Sequence, residues 1–228
     1  MFLRQLFDYD TYTFTYLIAD EKSKEAIIID SVNSQVTRDH NLIRELGFTL
    51  KYALDTHVHA DHITGAGSLR ELTRCETGVA ACAHVECADV GLNDGDRLTF
   101  GQYTLKVLAT PGHTRGCLSF YVDNCVFTGD ALFIRGTGRT DFQEGNAGTL
   151  YDSITQQLYT LPNETLVYPG HDYRGFNVST IEEEKAHNPR TKLMREAFIN
   201  HMDNLHLPNP SQIDQALPAN QTCGRLVN

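Results

Sequence analysis

The chain opens with short apolar runs separated by charged or polar breaks. "FLRQLF", "TFTYLIAD" and "EAIIIDSV" have the length and β-branched content of strands, and "DEKSK" between the last two predicts a hairpin. The run "AIIID" reads as a buried strand ending at Asp30. The period then changes: Val36, Leu42, Ile43 and Leu46 recur at helical spacing, with Gly47 as the stop. "LKYALDTH" returns to a strand and "AGSLRELTRC" to a helix.

The second half repeats this order without repeating the sequence. "GVAACAH" predicts a strand, "DRLTFGQYTLKVLAT" a hairpin around Phe100, Gly101 and Gln102, and "CLSFYV" and "CVFTGD" two further strands. A helix capped near Asn146 ("NAGTLYDSITQQLYTL") and the strand "TLVYPGH" follow. From about Ile181 the pattern is helical, broken at Pro189, and the end is an irregular tail rich in Pro and Asn. No low-complexity linker divides the chain. The expectation is one domain over residues 1–228, with a core over about 1–175 and a helical segment and tail over about 176–228.

Composition narrows the function. A chain of 228 residues can bury a core without staples, and its formal charge of −10 argues against nucleic-acid binding while leaving room for a local arginine cluster. No apolar run approaches the length of a membrane span. Aspartates stand where a signal peptide would be apolar, so the expected location is cytoplasmic, or the mitochondrial matrix if a presequence has been removed. The six cysteines (Cys75, Cys82, Cys87, Cys117, Cys125 and Cys223) form no CxxC pair. They are expected to be reduced and mostly buried, with Cys223, in the polar tail "NQTCGR", the one at the surface.

The candidate chemistry begins at "THVHADHITG", which crowds His57, His59, Asp61 and His62 behind a strand. His113 follows a strand in the Pro-Gly turn of "TPGHTRG", Asp130 ends the strand of "VFTGDALF", and His171 sits in a second Pro-Gly turn, "VYPGHDY". Imidazoles and carboxylates offer lone pairs at neutral pH, and together they suit zinc, iron or manganese. His40, His84, His187, His201 and His206 have no such setting. Other catalytic signatures fail: there is no HExxH, no GxSxG and no P-loop, and in "GTGRTD" Asp141 replaces the third glycine of a dinucleotide fingerprint.

"THVHADH", "PGHTRG", "TGDALF" and "PGHD", in that order over roughly residues 10–175, resemble the metallo-β-lactamase superfamily. The resemblance implies an α+β fold, an αββα sandwich of two face-to-face sheets with helices outside. It also implies a metal site at one edge made from His57, His59, Asp61, His62, His113, Asp130 and His171.

Two branches of that superfamily keep all seven positions. Glyoxalase II enzymes hold two metals there and hydrolyse glutathione thioesters. Persulfide dioxygenases hold one ferrous iron through positions corresponding to His57, His113 and Asp130, leaving three coordination positions open. The segment "GDALFIRGTGRTDFQEG" and the tail "LPANQTCG" resemble the dioxygenase branch, except that Thr137 stands where many relatives have cysteine.

By that resemblance the chain binds one Fe(II) and oxidises glutathione persulfide with O2 to sulfite and glutathione; a dinuclear thioester hydrolase is the alternative. His59, Asp61, His62 and His171 would orient ligands and hold water. Glutathione carries two carboxylates, so Arg139, then Tyr173 and Arg190, are the candidate substrate contacts. A homodimer is the assembly common among the relatives.

Overall fold

The computed structural model describes residues 1–225. In chain order its elements are β1 (Phe2–Asp8), β2 (Thr13–Ala19), β3 (Glu25–Ile29), α1 (Val36–Glu45), β4 (Thr49–Leu54), α2 (Ala66–Thr73), β5 (Glu76–Ala80) and β6 (Val90–Leu92). These are followed by β7 (Arg97–Phe100), β8 (Tyr103–Ala109), β9 (Leu118–Val122), β10 (Cys125–Gly129), α3 (Ala147–Gln156) and β11 (Leu166–Pro169). The chain closes with β12 (Ser179–Thr180), α4 (Ile181–His187), α5 (Arg195–Asp203) and α6 (Ile213–Asn220).

The first half builds one six-stranded sheet in the order β1-β2-β3-β4-β5-β6, and the second half builds another in the order β12-β11-β10-β9-β8-β7. β1 to β3 pair antiparallel and β3 to β6 parallel. In the second sheet β7 to β10 are antiparallel, β10 and β11 parallel, and β11 and β12 antiparallel.

β2 shows how the layers form. Successive side chains of a strand point to opposite faces. Phe14, Tyr16 and Ile18 therefore enter the core between the sheets, where they share one cluster with Phe100, Val107, Phe120 and Phe127. Leu17 and Ala19 face outward and are covered by Val36 and Ile43 of α1 and Leu69 of α2. On the far side Val126 and Val167 pack under Leu150 and Ile154 of α3 and Phe198 of α5. The result is the predicted αββα arrangement, and each fully buried large side chain contributes about 1.5–3 kcal/mol.

Three expectations are corrected. Cys87 and Cys223 form a disulfide, with Cα atoms 6.0 Å apart, so the cysteines are not all reduced thiols. Cys223 is buried, because the polar tail folds back on the domain instead of trailing into solvent. That tail is also not irregular throughout: it contains α6, which tolerates Pro218 inside it because Ala216 and Ala219 are packed against the domain.

Candidate metal centre

Four strand ends deliver the ligand candidates to one edge of the sandwich. His57, His59, Asp61 and His62 follow β4, His113 follows β8, Asp130 follows β10, and His171 follows β11. The structure brings all seven together. The donor atoms of His57, His113 and Asp130 lie within 4.8 Å of one another, as do those of His57, His59 and Asp61. The His57 and His59 ring centroids are 4.2 Å apart, and His113 stands edge-on to His57 at 4.9 Å.

Each imidazole has one nitrogen engaged, four of them by groups outside the seven and His62 by Asp61 within them. His113 Nδ1 donates to the Arg139 carbonyl at 2.6 Å, and His171 Nδ1 donates to the Tyr12 carbonyl at 3.0 Å. His57 Nδ1 donates to the Thr56 hydroxyl at 3.0 Å, which in turn donates to Asp30 at 2.9 Å. His59 Nε2 donates to Asp30 at 3.2 Å, and His62 Nδ1 to Asp61 at 2.8 Å. With one N–H fixed, the other nitrogen presents a lone pair inward, the arrangement of metal-bound histidines.

The remaining atoms test whether a cation fits. His59 Nδ1, His62 Nε2 and Asp130 Oδ1 are buried and have no hydrogen-bond partner among the described residues. A buried polar atom without a partner costs about 1–3 kcal/mol, more for a charged one, and a bound cation removes that cost. Burial pushes His57 and His59 well below the ordinary imidazole range, so both are neutral and able to ligate. Burial alone would raise Asp61, but His62 and His171 outweigh it and hold that carboxyl well below its usual value. The donor set fits a metal.

Above these residues opens a cleft of about 850 Å³, with Asp61, His113, Asp130 and His171 at its floor. Arg139, Tyr173 and Arg190 all line it. Tyr173 is 65% exposed and stacks on His171, with centroids 6.0 Å apart.

The two arginines differ. Arg139 grips Asp141 with Nε at 2.6 Å and Nη2 at 2.7 Å, donates to the Pro208 carbonyl at 2.7 Å, and lies 4.0 Å over the Phe142 ring. Among the described residues the Arg190 guanidinium donates to the carbonyl and hydroxyl of Thr137 alone, at 2.6 and 3.1 Å. Burial and the neighbouring Arg174 push its guanidinium below its ordinary value. Arg174 and His201 also line the cleft, and sequence reasoning missed both. Arg174 follows Tyr173 directly and could have been suspected, whereas His201 is brought there by the packing of α5.

Known proteins resemble this chain over most of its length. The Metallo-beta-lactamase superfamily profile matches residues 8–171. Persulfide dioxygenase ETHE1, mitochondrial, of Homo sapiens is 51% identical over 225 residues, which cover 97% of this chain and 88% of that protein. The crystal structure of ETHE1 from Myxococcus xanthus superposes with a TM-score of 0.96 at 54% identity, covering 99% of this chain and all (100%) of that one. A hydroxyacylglutathione hydrolase of Brucella anthropi is 36% identical over 169 residues, 71% of this chain and 62% of that protein. The chain belongs to the metallo-beta-lactamase superfamily.

Proposed function

We propose that the protein is a persulfide dioxygenase that converts glutathione persulfide, dioxygen and water to glutathione and sulfite. The observation that carries this reading is the 51% identity to human persulfide dioxygenase over nearly the whole chain. A centre with two histidines and one carboxylate accords with it.

In this reading His57, His113 and Asp130 hold one Fe(II). Bound there, the iron would supply one-electron chemistry toward dioxygen and a soft sulfur. Thr56 and the Arg139 carbonyl fix the His57 and His113 rings, so their lone pairs are aimed before any ligand arrives. His59, Asp61, His62 and His171 hold water and protons beside the reacting sulfur. Arg190, with Arg174 near it, receives a glutathione carboxylate at the cleft wall, and the Tyr173 hydroxyl orients the peptide. Arg139 shapes the wall on which that peptide lies.

A second reading has its own observation. His59 Nδ1 and His62 Nε2 are the unpartnered atoms a second metal would take, which favours a thioester hydrolase with a dinuclear site activating water. Oxygen uptake on addition of glutathione persulfide, with metal analysis of protein purified without added metal, separates the two. About one iron per chain and oxygen-dependent sulfite formation are expected. Anaerobic cleavage of a glutathione thioester with two metals per chain would replace the first reading by the second.

Among the described residues no helix is long and apolar enough to cross a membrane. A cytoplasmic or mitochondrial-matrix setting and a homodimeric assembly complete the proposal; the assembly is tested by sedimentation.

A further inference from the structure

The metal-binding loop is gripped from the far end of the chain. Asn220, the last residue of α6, is buried, and its side-chain amide makes three hydrogen bonds to that loop. Nδ2 donates to the carbonyls of His59 at 2.8 Å and His62 at 2.9 Å, and Oδ1 accepts from the Thr64 backbone N–H at 2.9 Å. One side chain thus satisfies backbone groups on both sides of Asp61, within the span that carries three of the seven ligand candidates.

Asn220 is itself held by the turn after it. Three residues on, Cys223 is cross-linked to Cys87, which lies in the loop between β5 and β6. The Cys223 carbonyl presses on α2: a Cβ on Gly67 would come within 2.2 Å of it. Asn220 and Cys223 also line a small cavity that backs onto His57 and His59. Among the described residues this disulfide is the one covalent tie between the carboxy-terminal turn and the sheet that carries the loop.

We infer that the carboxy-terminal turn is a redox-dependent clasp on the metal centre: Asn220 is a positioning residue for the His59–Thr64 loop, and the Cys87–Cys223 disulfide holds Asn220 in place. The inference rests on the loop being a metal-binding loop, whichever metal it takes.

The reductant is a low-molecular-weight thiol. Its thiolate attacks Sγ of Cys87, the less buried of the two residues; the S–S bond breaks and Cys223 departs as a thiolate that takes up a proton. A second thiol displaces the first from Cys87. Two external thiols become one external disulfide, and the protein pair gains two electrons and two protons. With the tie cut, the turn is held by hydrogen bonds and packing alone, and the loop exchanges its metal faster.

The test measures metal release from the purified holoprotein to a chelator, together with the visible absorption of the cobalt(II)-reconstituted protein, which reports coordination geometry independently of turnover. Asn220→Ala is expected to release metal about 10- to 100-fold faster and to alter the cobalt spectrum. Gly67→Ala, which helix propensity alone favours, is expected to shift both in the same direction because it lifts the turn. Wild type treated with excess glutathione is expected to match Cys87→Ser, and Cys87→Ser to show no response to glutathione.

Asn220→Ala and Gly67→Ala proteins that melt as folded domains but keep the wild-type release rate and cobalt spectrum would overturn the positioning role. Release from wild type that glutathione does not change would overturn the redox control. A wild-type protein that takes up no cobalt would instead remove the metal-centre reading beneath both.

Discussion

Arg190 donates to the carbonyl and hydroxyl of Thr137, and among the described residues no carboxylate pairs with it. The Thr137 hydroxyl is therefore part of how this guanidinium is aimed. A half-buried arginine with a second cation near it and no anion against it is set to receive one from a ligand. Arg190→Met is expected to raise KM for glutathione persulfide about 10- to 100-fold, the effect of losing a charge-assisted contact, with metal content unchanged. A persulfide with no remote carboxylate should be affected far less, and steady-state oxygen uptake on both substrates measures the difference.

Arg139 predicts a different pattern. Its guanidinium is already engaged by Asp141 and by the carbonyls of Leu207 and Pro208, so its removal frees the segment that forms one cleft wall. His113, by contrast, is held by the backbone carbonyl of residue 139, which any side chain supplies. Arg139→Ala is therefore expected to raise KM by several-fold while leaving the metal content near that of wild type. Parallel loss of metal and substrate affinity in metal analysis and kinetics would contradict this.

Gly112 precedes His113 in backbone with φ +137°, and a Cβ there would come within 2.3 Å of the Leu150 backbone in α3. Neither the conformation nor the space admits a side chain. Gly112→Ala is expected to cost about 3 kcal/mol or more, because α3 must move off its packed position on the sheet. Thermal denaturation of the variant should show a Tm lower by about 6–12 °C.

Much of this architecture was legible because the relevant signals are local. The long apolar runs became the predicted strands, and histidines placed just past them could be recognised as convergent once the strands were assigned to sheets. β6 and β12, of three and two residues, carry no periodicity of their own and exist because a neighbouring strand offers them a partner. α6 was obscured by Pro218, an interior helix breaker whose cost is offset by contacts that only the folded domain provides. The disulfide spans 136 residues and the Asn220 contacts 156 to 161, so no local pattern announces either. The choice of Arg190 over Arg139 as the freer cation likewise depended on who pairs with whom, which composition does not record.

The cysteines give a prediction that uses exposure and acidity together. Cys75, Cys117 and Cys125 are buried, whereas Cys82 is exposed. Burial pushes the Cys117 thiol up to about 12 and the Cys125 thiol to about 11, so neither supplies thiolate near neutral pH. Brief treatment of the native, non-reduced protein with iodoacetamide at pH 8 is expected to alkylate Cys82 alone. Peptide mass spectrometry after quenching reads the sites. Modification of Cys87 or Cys223 under those conditions would show that their disulfide is not present in solution.

Metal stoichiometry separates the roles within the donor cluster. If His57, His113 and Asp130 hold a single ion, His113→Ala removes a direct ligand and is expected to leave little bound metal and no oxygen uptake. His62 is the contrasting case. Its Nδ1 is committed to Asp61 at 2.8 Å, its Nε2 has no partner among the described residues, and it lies outside the compact trio of His57, His113 and Asp130. His62→Ala is then expected to retain about one metal per chain and to lose activity only in part, consistent with a role in holding water or protons beside the sulfur. A dinuclear centre predicts otherwise: the wild type would carry about two ions, and His62→Ala about one. Elemental analysis of the wild type and the two variants, purified side by side without added metal, decides between these patterns.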